Sequence, residues 1–193
     1  MKSALLLSTA LLASAAHADV LGLTAEAGTY ASNSGKNDVD LNSYFGIAIE
    51  HPIPLIPNIR LQHQSIEDKN ENDLSYDDYT LYYELLDGLT LLNLDAGATF
   101  RKIDHANSSI DGTYPLLYVS AFLDIPGTAL SVGGEFKSGG GSDADITDTT
   151  FKVKFQPLVF AGLELGYRTV KEDFKSAGMI EPKGVFIGAF VDF

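Results

Sequence analysis

Along most of this 193-residue chain apolar and polar side chains alternate at every step, and the charged residues keep to one parity. Successive side chains of a strand point to opposite faces, so a period of two sorts residues onto the two faces of a sheet. Turn residues divide the pattern into ten extended segments: 20–30, 40–51, 58–67, 74–86, 90–103, 113–124, 128–138, 147–156, 162–171 and 183–193. No segment carries a convincing helical period. In the fourth, Tyr79, Leu81, Tyr83 and Leu85 share one face while Asp78, Thr80, Tyr82 and Glu84 share the other. Leu21, Leu23, Ala25 and Ala27 likewise oppose Glu26, and Phe45, Ile47 and Ile49 oppose Tyr44 and Glu50. Leu92, Leu94, Ala96, Ala98 and Phe100 oppose Asp95 and Arg101, and Leu130, Val132 and Phe136 oppose Glu135 and Lys137. Phe151, Val153 and Phe155 oppose Lys152 and Lys154, and Leu163, Leu165 and Tyr167 oppose Glu164 and Arg168. A slip of one residue would exchange these faces, so register is strongly specified. Parity stays open in 58–67 and 113–124, where either Leu116 and Tyr118 or Leu117 and Val119 take the apolar face.

An apolar face on every strand needs a solvent that accepts it. Each segment has about the 9–11 residues with which a tilted strand crosses a bilayer. In lipid only a closed barrel satisfies every backbone N–H and C=O without helices. On that reading the charged parity faces the lumen, because a Lys or Arg turned to the bilayer midplane costs roughly 2–4 kcal/mol. The connections agree. SNSGKNDV, DKNEND, DHANSSIDG, GGGSDAD and EDFKSAGMIEP are long and polar, and they alternate with short or Pro-bearing apolar turns such as PIPLIP and IPG. The expected fold is all-β: a closed, antiparallel, up-and-down transmembrane barrel of ten strands, or eight if two weaker segments are loop. Short turns would face the periplasm and longer loops the outside. A soluble β-sandwich with one wet face is the competing architecture.

Lys2, an apolar run from Ala4 to Ala13, and Ala16-His17-Ala18 form a secretory signal pattern, with cleavage expected between Ala18 and Asp19. Residues 1–18 are thus expected to be a signal peptide and 19–193 the barrel domain. The chain has no cysteine for a lipid anchor or disulfide, and its net charge of −13 argues against nucleic acid. Its last segment, GVFIGAFVDF, puts Val185, Ile187, Ala189, Val191 and Phe193 on one face. It resembles the C-terminal assembly signal of bacterial outer-membrane proteins, in Gly188, Val191 and Phe193; Phe186 departs from that signal, which usually has a polar residue there.

Three stretches add a further resemblance: Glu50-His51-Pro52-Ile53-Pro54-Leu55-Ile56-Pro57-Asn58, Leu81-Tyr82-Tyr83-Glu84-Leu85-Leu86-Asp87, and Asp111-Gly112 before Pro115-Leu116-Leu117-Tyr118. With these the chain resembles a family of small outer-membrane β-barrel proteins of Gram-negative bacteria whose name refers to a Gly-Gly feature. The resemblance implies fold and location, and brings no activity, cofactor or catalytic residue. The expected surroundings are outer-membrane lipid and lipopolysaccharide, with the barrel-assembly machinery as a partner during insertion; the oligomeric state stays open, a monomer being favoured.

The expected lumen sets Glu26, Glu50, Asp78, Glu84, Asp95, Glu135 and Glu164 against Arg60, Arg101, Lys137, Lys152, Lys154 and Arg168. Buried charge is tolerated when paired, so this near-balance suits a plugged interior better than a wide pore. Acidic residues of the long loops, Asp68, Glu71, Asp73 and Asp77, then Asp143, Asp145 and Asp148, then Glu172 and Asp173, read as solvated surface. Among them Asp143, Asp145 and Asp148 are the candidate metal ligands. Asp104 with His105, and Asp77-Asp78, are the residues from which a hydrolase would be built, but no enzyme signature accompanies them. His51, His63 and the Pro52–Pro57 turn read as structural. The expected role is structural or surface-interactive through acidic loops; a narrow channel for small solutes or ions comes second and a hydrolase third.

Overall fold

The computed structural model describes residues 21–33, 40–53, 55–66, 74–86, 91–105 and 110–193. The strands are β1 Gly22–Asn33, β2 Asp40–Glu50, β3 Asn58–Ile66, β4 Leu74–Leu86, β5 Leu92–His105, β6 Gly112–Asp124, β7 Leu130–Gly140, β8 Ala144–Leu158, β9 Ala161–Phe174, β10 Gly178–Ile180 and β11 Lys183–Asp192. From β1 to β9 each pairs antiparallel with the next, and β11 pairs with β9 on one side and β1 on the other. Ten strands therefore close into a barrel. The short β10 lies in a stretch expected as loop. It folds back on the end of β9, Gly178 opposite Phe174, and Gly178 takes the left-handed φ of 79°. The signal pattern with Ala18 and Asp19, and the acids Asp68, Glu71 and Asp73, lie outside the described residues.

The expected faces hold, and the open parities resolve. Leu116 and Tyr118 turn inward, each 2% exposed, while Leu117 turns outward at 59%. On β3, Ile59 and Leu61 turn outward, with Arg60, Gln62 and Gln64 inside. The result is an outward belt that includes Phe45, Ile47, Leu81, Phe151, Leu165 and Ile187, all exposed. At the seam, Gly28 stands opposite Gly188. A Cβ on Gly188 would come within 2.1 Å of Tyr44 Oη and 2.7 Å of the Ala27 carbonyl, so only glycine fits there. Phe193 completes the seam: its N and O bond Leu23 O and N at 3.0 and 2.9 Å, and its ring stacks on Phe160 at 5.9 Å.

Several strands run past their expected limits at the end bearing the long connections (the loop end), and there the alternation changes sides. On β4, Leu74 and Tyr76 face inward while Ser75 and Asp77 face outward; one step on, Asp78 is inside and Tyr79 outside. On β5, Phe100 is outside and Arg101 inside, followed by Lys102 outside and Ile103 inside. β8 and β9 do the same, with Ile146 and Val170 buried between exposed Asp145 and Lys171. The loop end thus has the polarity of a soluble protein, and the belt begins where that polarity reverses.

At the opposite end (the turn end), the β2–β3 connection is described at 51–53 and 55–57. Tyr83 Oη, on the outer face, donates to Leu55 O at 2.9 Å, and Leu55 adopts a φ of 77° and is 89% exposed. Leu55 thus sits beside the outer face of β4.

Candidate functional site

The inward side chains stack in four levels. Nearest the loop end, Ile66, Leu74, Tyr76, Ile103, Ile110, Leu116, Ile146, Val170 and Phe174 pack as an apolar cap. Ile110 reaches it from the β5–β6 connection, held by Tyr114 Oη donating to its carbonyl at 3.0 Å.

Beneath the cap lies an upper ionic layer centred on Arg101, which is fully buried. Its Nε and Nη2 donate to the two oxygens of Asp78 at 2.7 and 2.8 Å, and Nη2 also meets Asp148 Oδ2 at 2.5 Å. Arg168 holds Asp148 from the other side at 2.9 and 2.5 Å, and Lys137 Nζ reaches Asp78 at 2.7 Å. Glu172 accepts from Tyr76 Oη at 3.0 Å and stands 3.6 Å from Arg101 Nη1.

A lower ionic layer follows. Arg60 bridges Glu26 at 2.6 Å and Glu135 at 3.1 Å, and Lys152 meets Glu26 and Glu164 at 3.0 Å each. Tyr44 crosses the lumen over Gly188 to donate to Glu164 at 2.6 Å. Phe186, whose type departs from the assembly signal, points into this layer with its ring 5.7 Å from Lys152 Nζ.

The turn end is open as a cup of about 300 Å³, whose lining includes Glu50, Asp95, Asp124 and Lys154. Glu50 accepts from Tyr82 Oη at 2.6 Å, and Asp124 from Asn93 and Ser131 at 3.1 and 2.5 Å. Lys154 Nζ lies 4.7 Å from the Phe122 ring and 5.4 Å from that of Phe190.

Of the charges expected in the lumen, Glu26, Arg60, Asp78, Arg101, Glu135, Lys137, Lys152, Glu164 and Arg168 meet in ion pairs. Glu50, Glu84, Asp95 and Lys154 instead line the cup. The principal omission is Asp148 and Glu172, which read as loop acids and are in fact 2% and 0% exposed. β9 runs on to Phe174 and so carries Glu172 inside, while Asp148, within the expected segment 147–156, falls on the inward parity of Lys152. Asp148 is thereby committed to two arginines and separated from Asp143 and Asp145. Asp77 and Asp78 point to opposite faces: Asp77 bonds His63 Nδ1 at 2.7 Å outside, where His63 stacks on Phe45. Asp104 pairs with Lys102 at 2.7 Å.

No family model matches the chain, the Gly-Gly-named family included, and no curated protein matches it. Among solved structures it is similar to Neisserial surface protein A, at 13% identity over 91% of this chain and 98% of that one, with a TM-score of 0.42. It is also similar to Ail, the attachment invasion locus protein of Yersinia pestis, at 9% identity over 90% and 97%, with a TM-score of 0.33. Likenesses this distant carry nothing about activity or partners.

Proposed function

We propose that the chain is a non-conducting barrel of a Gram-negative outer membrane, with a structural or surface-interactive role exercised through its acidic loop end. In this orientation the turn end faces the periplasm. The outward belt supports membrane insertion, since contiguous exposed apolar surface of this extent marks contact with an apolar phase. The alternating long and short connections support the orientation. The observation that carries the absence of conduction is the sequence of fillings along the axis, two cross-linked ionic layers beneath an apolar cap. An ion that passes the cup meets arginine and lysine side chains already committed to carboxylates, and beyond them an apolar cap whose Tyr76 hydroxyl is itself bonded to Glu172.

The test is planar-bilayer recording on the refolded protein. The expected record stays at baseline over a range of voltages. A stable, large conductance would overturn the reading and favour a channel.

A further inference from the structure

We infer that two small chambers bordering the upper ionic layer, the larger of them reaching the lower layer, are binding sites for water, organised by the side chain of Gln64. Gln64 lies on the inner face of β3 and is 4% exposed, and neither its Nε2 nor its Oε1 has a hydrogen-bond partner among the described residues. Its neighbour on the same face shows the contrast. Gln62 Nε2 donates to Glu26 Oε1 at 3.0 Å, and its Oε1 accepts from Lys137 Nζ at 2.8 Å. A buried amide with both ends unpaired is costly and rare in folded proteins, where such groups are met by protein or by ordered water.

The space for that water is present. Gln64 borders one chamber of about 40 Å³ and another of about 30 Å³. A water needs roughly 10–15 Å³ and two to four polar partners. Tyr44, Gln62 and Arg168 line both chambers and supply partners of both kinds.

The chemistry of the walls selects the occupant. In the larger chamber the carboxylates of Glu26, Glu135 and Asp148 are matched by Lys137, Lys152 and Arg168; in the smaller, Asp78 is matched by Arg168. A bare ion would unbalance either wall in a poorly screened interior, where unpaired charge is penalised heavily. A neutral molecule that both donates and accepts leaves the balance intact and serves both ends of the amide. The volumes exclude solutes of glycerol size. Glu26 and Glu135 border both the larger chamber and the cup, so water has its approach from the turn end while the cap closes the other. Gln64 thereby acts as a positioning residue, and the water of the larger chamber joins the Asp148–Arg168 layer to the Glu26–Lys152 layer.

The test uses the full refolded barrel, ¹⁵N-labelled in deuterated micelles. The expected result is a rotating-frame cross-peak between the Gln64 side-chain amide protons and water, together with a fall of roughly 2–4 °C in the unfolding midpoint of Gln64→Leu. Dry chambers give the opposite sign: Gln64→Leu would remove two unpaired polar groups and raise the midpoint. Absence of the water cross-peak overturns the inference whatever the variant does, so the test stands even if Gln64→Leu fails to fold. A baseline record in the conductance experiment neither supports nor weakens the water sites, which keeps the two readings separable.

Discussion

The two ends of the lumen are filled by different chemistry although the same strands build both. Toward the loop end, Ile103, Ile146 and Val170 pack as they would in a soluble protein, and polar residues such as Lys102, Asp145 and Lys171 cover the outside. Toward the turn end, the outside is the apolar belt and the inside is ionic, then open. The difference shows that the surroundings of a strand decide which face takes which residue. Where water surrounds the barrel, burial of apolar side chains inside it is favourable in the ordinary way. Where an apolar phase surrounds it, apolar residues go outside, and long charged side chains fill a lumen narrow enough for them to meet across it. Such pairs add little net stability beyond a well-packed apolar filling, but breaking one is expensive.

The strongest test of this contrast removes the central cation of the sealed half. Arg101→Met leaves Asp78 with Lys137 alone and strips a partner from Asp148 and Glu172. The expected loss is about 3–5 kcal/mol of unfolding free energy, read from urea titration in phospholipid vesicles by far-UV circular dichroism. Lys154→Met in the cup removes contacts to two aromatic rings and is expected to cost about 0.5–2 kcal/mol. Equal losses at the two positions would erase the distinction between a sealed and an open half.

A smaller effect is expected at the seam beside the lower layer. Gly188→Ala drives a methyl toward Tyr44 Oη and the Ala27 carbonyl, and should destabilise by about 1–3 kcal/mol in the same titration. Adding Tyr44→Phe removes the hydroxyl that the methyl meets, and also the bond to Glu164. If the Tyr44 hydroxyl sets the requirement for glycine, the double variant loses less than the sum of the two single losses. Additive losses would place the requirement in the backbone of β1.

The barrel, its strand count and the facing of Glu26, Arg101, Lys152 and Glu164 were legible because one parity carries the charge throughout the belt. Asp148 and Glu172 share the inward parity of Lys152 and Glu164, yet were not, because the change of phase at the loop end sets the exposed acids Asp145 and Asp173 near them and each run then reads as solvated loop. The phase change does leave a mark. Asp77-Asp78 and Arg101-Lys102 are pairs of consecutive charged residues within alternating strands. In each pair one residue faces the last outward-polar level and the other the first inward-polar level. The apolar cap arises from the same shift, since Tyr76 and Ile103 fall on the charged parity. Pairing between layers depends on barrel stagger, which brings Arg101 of β5 to Asp148 of β8 and leaves Asp95 apart; periodicity within one strand holds no record of that.

The smallest effect is expected in the cup, where it bears on whether the open end is shaped for stability at all. Asp95 stands directly opposite Glu84 across the β4–β5 pair, and both line the cup. Like charges at directly opposed positions repel, and such cross-strand pairs are worth roughly 0.2–1 kcal/mol. Asp95→Asn retains the shape and removes one of the two charges. Because water reaches the cup, no ion pair is stranded by the change, in contrast to Arg101. The expected outcome is a stability gain of at most about 0.5 kcal/mol, shrinking as salt is added because screening weakens the repulsion that was removed. A loss of the size expected for Arg101→Met would mean that Asp95 belongs to the sealed network, and that the ionic filling extends to the turn end.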